Sequence, residues 1–317
     1  MRIVAALAFW LLLATFSPFG PVREDPVPAR TLLRFVPLPL DPDSPGRRTI
    51  GRLEYLAGWH VTSNDPRFGG LSAIHVGPEG VTAMSDTGSL IRFPIPGSAG
   101  SPNIVRLPAG PGSGTRKSDR DAESLVVHGG RAWIGFERSN AVWRYRRGDW
   151  RAEGWAAPPA MRRWRGNRGS EAMIRLTGGR FLIFSEGGGG DSPLLLFDGD
   201  PSARGTTSVA MRYRPPEGYR ITDAALLPGG GILLLNRRVA LLEGFSATIS
   251  LVAAPDLNAG ALLVGKEIAA LRRPLTVDNL EAMSVTREGG RTIVWIASDD
   301  NFNPLQRTLL LKFALRD

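Results

Sequence analysis

One short pattern returns five times along this chain, and each return sets a small polar or acidic residue at the same point. The copies read GGLSAI (69–74), RDAESLVV (120–127), GSEAMIRL (169–176), ITDAALL (221–227) and NLEAMSV (279–285). Aligned, they place Ser72, Glu123, Glu171, Asp223 and Glu281 in register, at spacings of 51, 48, 52 and 58 residues. A repeat of that length is too long for a helical hairpin and fits one four-stranded blade of a β-propeller. A propeller carries the equivalent position of every blade to one central axis. The repeat therefore turns scattered carboxylates into a ring.

Each unit continues in the same way. A Gly-rich turn follows: GPEG (77–80), HGG (128–130), TGG (177–179), PGGG (228–231) or EGG (288–290). Then comes a short run rich in β-branched, aliphatic or aromatic residues (VTAMS, RAWIGF, RFLIFS, ILLLN, TIVWIAS), as strands require. A second polar cluster comes next, at SDTG (85–88), ERSN (137–140), EGGGGD (186–191), NRR (236–238) and SDDN (298–301), before a third apolar run. Two antiparallel strands joined by a tight turn return the chain to the face it left. Both polar clusters should therefore share one mouth of the channel, with Asp86, Glu137, Glu186 and Asp299 as an outer tier.

The fifth unit shows three strands and stops at Asp317. The segment LEYLAGWHV (53–61) belongs to no unit, and the reading gives it the missing fourth strand, which closes the ring and leaves no open edge. The expectation is an all-β propeller of five blades, or of six if TLLRFVPLPL (31–40) and its neighbours build a further irregular blade. It divides the chain into a signal peptide or anchor (1–20), an N-terminal extension (21–50) and one propeller domain (51–317).

Gly (38) and Pro (25) suit a turn-rich β protein, and 43% hydrophobic residues argue against low-complexity disorder. Met1-Arg2 followed by the apolar run IVAALAFWLLLATF (3–16) reads as a secretory signal, short for a membrane span, so the expected location is periplasmic or secreted. Retention as an inner-membrane anchor is the alternative, and membrane contact is expected only through that segment if it is uncleaved. Without cysteine there are no disulfides and no cysteine-linked lipid.

The formal charge of +9 comes almost wholly from arginine. Genome composition alone can produce such a surface, but the positions are suggestive. Arg116, Lys117 and Arg120 precede Glu123; Arg162, Arg163, Arg165 and Arg168 precede Glu171; Arg272 and Arg273 precede Glu281. Arg138 and Arg237 fall inside the second clusters. The guanidinium fork donates two parallel hydrogen bonds to phosphate or carboxylate, so Arg120, Arg138, Arg165, Arg168 and Arg237 are candidate substrate ligands. Export argues against a nucleic-acid partner.

The chain has no G-x-S-x-G elbow, HExxH, Walker loop or G-x-G-x-x-G after a strand. Its histidines, His60, His75 and His128, are too few and too scattered for a zinc site, and the last two fall near the opposite mouth. Oxygen chemistry remains. Converging carboxylates repel unless they are protonated, hydrogen-bonded or bound to a cation. Glu123, Glu171, Asp223 and Glu281 are accordingly candidate ligands for calcium, which takes oxygen donors. The competing structural account is that they cap inner-strand amides or pair with arginines across blades.

The stretches FGGLSAI (68–74), SDTG (85–88), DAESLVV (121–127), GSEAM (169–173), ITDAALLPGG (221–230), DNLEAMSV (278–285) and IASDDNFNPLQRTLLLKF (296–313) resemble the phytase-like family, whose members are described by an esterase-like activity of phytase. The resemblance runs over about residues 50–317. It implies an exported propeller hydrolysing an ester or phosphoester, and it supplies no agreed catalytic residues. Taken together, the expectation is cation-assisted hydrolysis of a small anionic ester or phosphoester. The alternative is a non-catalytic propeller that binds an anionic ligand or an envelope partner.

Overall fold

The computed structural model describes residues 27–114, 116–164, 168–187 and 189–316. It is a five-bladed β-propeller. Blade 1 runs outward through Leu71–Gly77, Gly80–Ser85, Ser89–Phe93 and Asn103–Arg106. Blade 2 is Ala122–His128, Arg131–Phe136, Ala141–Arg146 and Ala152–Ala156. Blade 3 is Ala172–Arg175, Phe181–Phe184, Ser192–Phe197 and Ser208–Arg214, extended by the parallel strand Leu262–Val264. Blade 4 is Arg220–Leu226, Ile232–Ala240, Gly244–Val252 and Lys266–Leu271. The five innermost strands, the fifth being Leu280–Glu288 of blade 5, pack against one another in sequence and complete a circle.

Blade 5 is built from both ends of the chain. Leu280–Glu288, Arg291–Ser298 and Leu309–Leu315 are followed by Leu53–Ser63, whose register with the last strand runs from Leu309↔His60 to Leu315↔Leu53. The N-terminal strand thus supplies the missing member, as the incomplete fifth unit required. Leu33–Pro37 adds outside it, with Leu33 opposite Ser63. The segment that offered a sixth blade is therefore an extra outer strand of the fifth. The apolar run 3–16 lies outside the described residues, and no helix among those residues is long and apolar enough to cross a membrane.

The core lies between the blades. Each inner face packs on the next blade in a separate apolar cluster: Met84 and Leu90 against Ile134 and Phe136, Trp133 and Val142 against Met173 and Phe181, Phe184 and Tyr213 against Ile232 and Leu234. Leu235 and Ile249 meet Val294 and Phe313, and Trp295 and Leu310 meet Ile74 and Ile91. Runs of alternating large aliphatic and aromatic side chains are what strands covered on both faces need. This packing leaves the axis to polar residues.

Candidate functional site: a charged ring at one mouth of the channel

The repeated polar position has a backbone cause. In blades 1, 2, 4 and 5 the pairing of the innermost strand with its neighbour slips by one residue, between Leu71/Ala73, Ala122/Ser124, Ile221/Asp223 and Leu280/Ala282. In blade 3 the Glu171 N–H shares the Phe184 carbonyl, at 3.0 Å, just before Ala172 takes up its pairing opposite Phe184. Such bulges leave a residue out of the ladder and re-aim its side chain. Ser72, Glu123 and Glu281 are the unpaired residues of their blades, so sequence register became a set of bulges around the axis.

A second interaction holds the other tier beside them. The N–H groups of Asp86, Glu137 and Asp299 donate to the carbonyls of Gly70, Asp121 and Asn279, each at 2.9 Å. Each acceptor stands two residues before the bulge position of its blade. Gly70 has φ +62°, and a Cβ there would meet Asp86 and the Phe302 ring, so this close approach needs glycine. In blade 4 the equivalent second-tier residue is a cation, Arg237.

Three cations enter this acidic mouth. Arg237 forms an ion pair with Glu281 at 2.6 Å, approaches Glu186 at 3.9 Å and donates to the Asn279 side chain. Lys117, on the short 3-10 turn Lys117–Asp119, pairs with buried Asp86. Arg138 donates to buried Asp121 at 3.0 Å. Glu186 is also held by Arg220 at 3.0 Å from the outside.

The carboxyl groups outnumber the cations, and their proton affinities record it. Burial, then the carboxylates of Asp121, Glu171, Glu137 and Glu281, hold Glu123 well above the ordinary glutamate range. Burial and the neighbours Glu137, Glu186 and Glu281 do the same to Glu171, with Arg237 pulling back. Glu137 is pushed up to about 8 by burial and Asp121, moderated by Arg138 and a hydrogen bond with Glu171. Burial raises Asp86 to about 6 against the pull of Lys117, and burial with Glu281 and Asp86 raises Asp299 well above the aspartate range. Burial opposes the charge on Lys117 and Arg237, but the surrounding acids outweigh it and raise both.

The structure brings together Glu123, Glu171 and Glu281 of the expected inner set, with Asp86, Glu137, Glu186 and Asp299 of the outer one. Asp223 does not join them. Its Oδ1 accepts the Ala224 N–H at 2.7 Å and its Oδ2 accepts the Met283 N–H at 2.6 Å, so it bridges blades 4 and 5. A buried carboxylate beside two free amides satisfies them before it can reach the axis. Among the arginines, Arg138 and Arg237 are in the ring. Arg120 turns away and lies against Gly88, Gly110 and Gly114. The backbone carbonyl of Arg168 accepts the Ser185 hydroxyl. Arg165 lies outside the described residues.

Two members escaped the repeat. Asp121 stands two residues before Glu123, where the other units carry Gly70, Gly169 and Asn279, so no register marks it. Lys117 reads as one more rim cation, and only the turn that folds it inward distinguishes it. Asp121, Glu123 and Glu137 can bring one oxygen each within 4.8 Å of one another. That all-oxygen donor set, together with a buried Asp86 Oδ1 that has no hydrogen-bond partner, fits a hard divalent cation such as calcium.

Residues 66–302 match the family described as phytase-like, with an esterase-like activity of phytase. The chain belongs to the phytase-like family. No curated protein matches this phytase-like chain. Among solved structures it is similar to the Myxococcus xanthus glutaminyl cyclase, at 13% identity over 85% of this chain and 100% of that one, with a TM-score of 0.47. It is also similar to the Cellvibrio cellulosa α-L-arabinanase complexed with arabinohexaose, at 12% identity over 84% and 92% of the two chains, with a TM-score of 0.43.

Proposed function

We propose that this phytase-like propeller is an exported hydrolase of small anionic esters or phosphoesters, assisted by a divalent cation at the ring. The observation that carries the reading is the close group Asp121, Glu123 and Glu137, set beside the inward cations Lys117, Arg138 and Arg237. Asp121, Glu123 and Glu137 would hold the cation, which when bound polarises a substrate oxygen and makes water a stronger nucleophile.

The remaining work falls to the chain. Arg237 is a fixed donor fork beside the acids and suits the anionic group of a substrate. Glu137, with a pKa of about 8, keeps its proton at neutral pH while no cation is bound and would give it up to become a ligand. Carboxyls that remain protonated without a cation would ionise as one binds, so affinity should rise with pH.

The test is turnover on a panel of chromogenic esters and phosphoesters, with calcium and with a chelator. Chelator-sensitive turnover that falls at least 100-fold in Glu137→Gln supports the reading. The non-catalytic alternative has support in the same ring, because Lys117, Arg138 and Arg237 already neutralise part of its charge. Tight binding of an anionic ligand with no turnover of any substrate would favour that binding role.

A further inference from the structure

The mouth that carries the ring also carries an apolar, arginine-flanked surface that meets the ring only at Arg237. The blade 4 hairpin Ile232–Ala240/Gly244–Val252 rises past Arg237, and at its tip Val239, Leu241 and Leu242 are 56, 62 and 90% exposed. Across a groove of about 1190 Å³ stands the loop following Arg291–Ser298, where Leu305 is 83% exposed. Phe245, Leu275 and Val277 line the floor between them. Large aliphatic side chains left in water on one face mark an interaction surface.

The charges on this face point to what covers it. Arg238 is matched by Glu243 at 3.3 Å, and Arg307 by Asp278 at 3.4 Å. Exposed Arg272 and Arg273 have no acidic partner among the described residues. Buried Gln306 lines the groove beside Arg307, with an amide Nε2 that finds no acceptor. Exposed aliphatics and unpaired guanidiniums complement an anionic head group above acyl chains.

The path of the chain agrees. Leu32 N–H donates to Asn64 Oδ1 at 2.7 Å and Thr31 to Asp65 at 2.9 Å, at the end of Leu53–Ser63 that leads into the mouth. The described chain therefore begins on this same face. Only residues 17–26 separate it from the apolar run 3–16, a tether of at most roughly 36 Å.

We infer that this face docks on an anionic lipid bilayer, with Leu241, Leu242 and Leu305 in the interface and Arg272 and Arg273 on lipid head groups. Docking is independent of whether the ring is catalytic. The channel would then open toward the membrane surface.

The chain has no cysteine, so a single introduced thiol can be labelled cleanly. Full-length protein carrying Leu242→Cys, Leu305→Cys or His128→Cys is labelled with an environment-sensitive nitrobenzoxadiazole dye. His128 ends the innermost strand of blade 2 at the opposite face. Phosphatidylglycerol vesicles should raise emission several-fold, with a blue shift, at 242 and 305 and leave 128 unchanged. Phosphatidylcholine vesicles should give a smaller response, and Arg272→Ala with Arg273→Ala should reduce the phosphatidylglycerol response. Vesicle binding with 242 and 305 unchanged would mean the N-terminal segment tethers a propeller that does not dock, and overturns the inference. So does an equal response at all three positions. A concentration-dependent signal at 242 without vesicles would assign the patch to self-association and overturns it too.

Discussion

Arg237 and Glu281 meet at 2.6 Å across the boundary between blades 4 and 5, so the cation of one blade's second tier neutralises the bulge carboxylate of the next. Glu186 at 3.9 Å and the Asn279 side chain share the same guanidinium. Removing one partner of a partly buried network strands the other charges. Arg237→Gln should therefore lower unfolding stability by about 3 kcal/mol in the presence of a chelator, within the range for broken buried pairs. Added calcium should recover part of that loss, because another cation can take up the same repulsion. Urea unfolding with and without calcium measures both effects, and an unchanged midpoint would show that the ring carries little electrostatic load.

The raised carboxyl groups set a pH dependence with a definite sign. Glu137, with a folded pKa of about 8 against 4.5, binds more protons folded than unfolded between those values. Stability is then highest at the acid end of that window and falls as pH rises toward 8. Glu123, Glu171 and Asp299 are shifted in the same direction. His75 and His60 act oppositely but lower down. Burial depresses His75 to about 4 and also lowers His60, so most of their effect is over by about pH 6.5 and the small rise that remains is outweighed by the carboxyl groups. Metal-free protein should therefore lose melting temperature steadily from pH 6.5 to 8, while calcium raises it more at pH 8 than at 6.5. A melting temperature that climbs across this interval in a chelator contradicts the assignment.

The fold was legible because propellers repeat. Five registers of one pattern and an incomplete fifth unit were enough to pair 53–61 with the last strand. Convergence of the carboxylates was legible only in part. Register identifies Glu123 and Glu281 through the bulge that re-aims them, and Glu171 through its equivalent place just before Ala172 pairs with Phe184. It cannot say that Asp223 will find two free amides first, because Met283 N–H comes from another blade. Arg237 occupies the register of Asp86 and Glu137, yet its inward course depends on the acids of blades 3 and 5. Asp121 and Lys117 sit outside the repeat, and tertiary folding of one loop brings them in.

Glu123, which the bulge of blade 2 leaves unpaired, and Asp223, which stays in the ladder opposite Leu235, should separate by mutation. Asp223→Ala removes two buried acceptors and leaves the N–H groups of Ala224 and Met283 unpaired, at a cost of about 2–4 kcal/mol. Its calcium-dependent rise in melting temperature should match the unmutated protein. Glu123→Gln replaces a carboxyl that folding forces to keep its proton with a neutral amide, so it should leave the chelated protein as stable or more stable and reduce the calcium response. Calorimetric melts of both variants, with and without calcium, decide this. Equal calcium responses in the two would mean that Glu123 does not hold the ion.

Closure by the N-terminal strand makes the last prediction. Leu53–Ser63 lies between Leu309–Leu315 and Leu33–Pro37, and Tyr55 packs edge-on against Phe313 with ring centroids 5.5 Å apart. A chain beginning at residue 66 loses both strands, exposes the full edge of Leu309–Leu315 and uncovers Phe313 and Leu311, which are otherwise buried. An unpaired apolar edge has no water-tolerant arrangement and recruits other chains. That chain should lack a cooperative melt, bind an apolar dye and aggregate, whereas a chain beginning at residue 27 should melt like the full protein. Supplying residues 27–65 as a separate peptide should restore a cooperative transition, since the register from Leu309↔His60 to Leu315↔Leu53 needs no covalent link to blade 1. A cooperative melt at an unchanged midpoint for the chain beginning at 66 would show that the ring stands on four strands of hydrogen bonding elsewhere and does not depend on its closing strand.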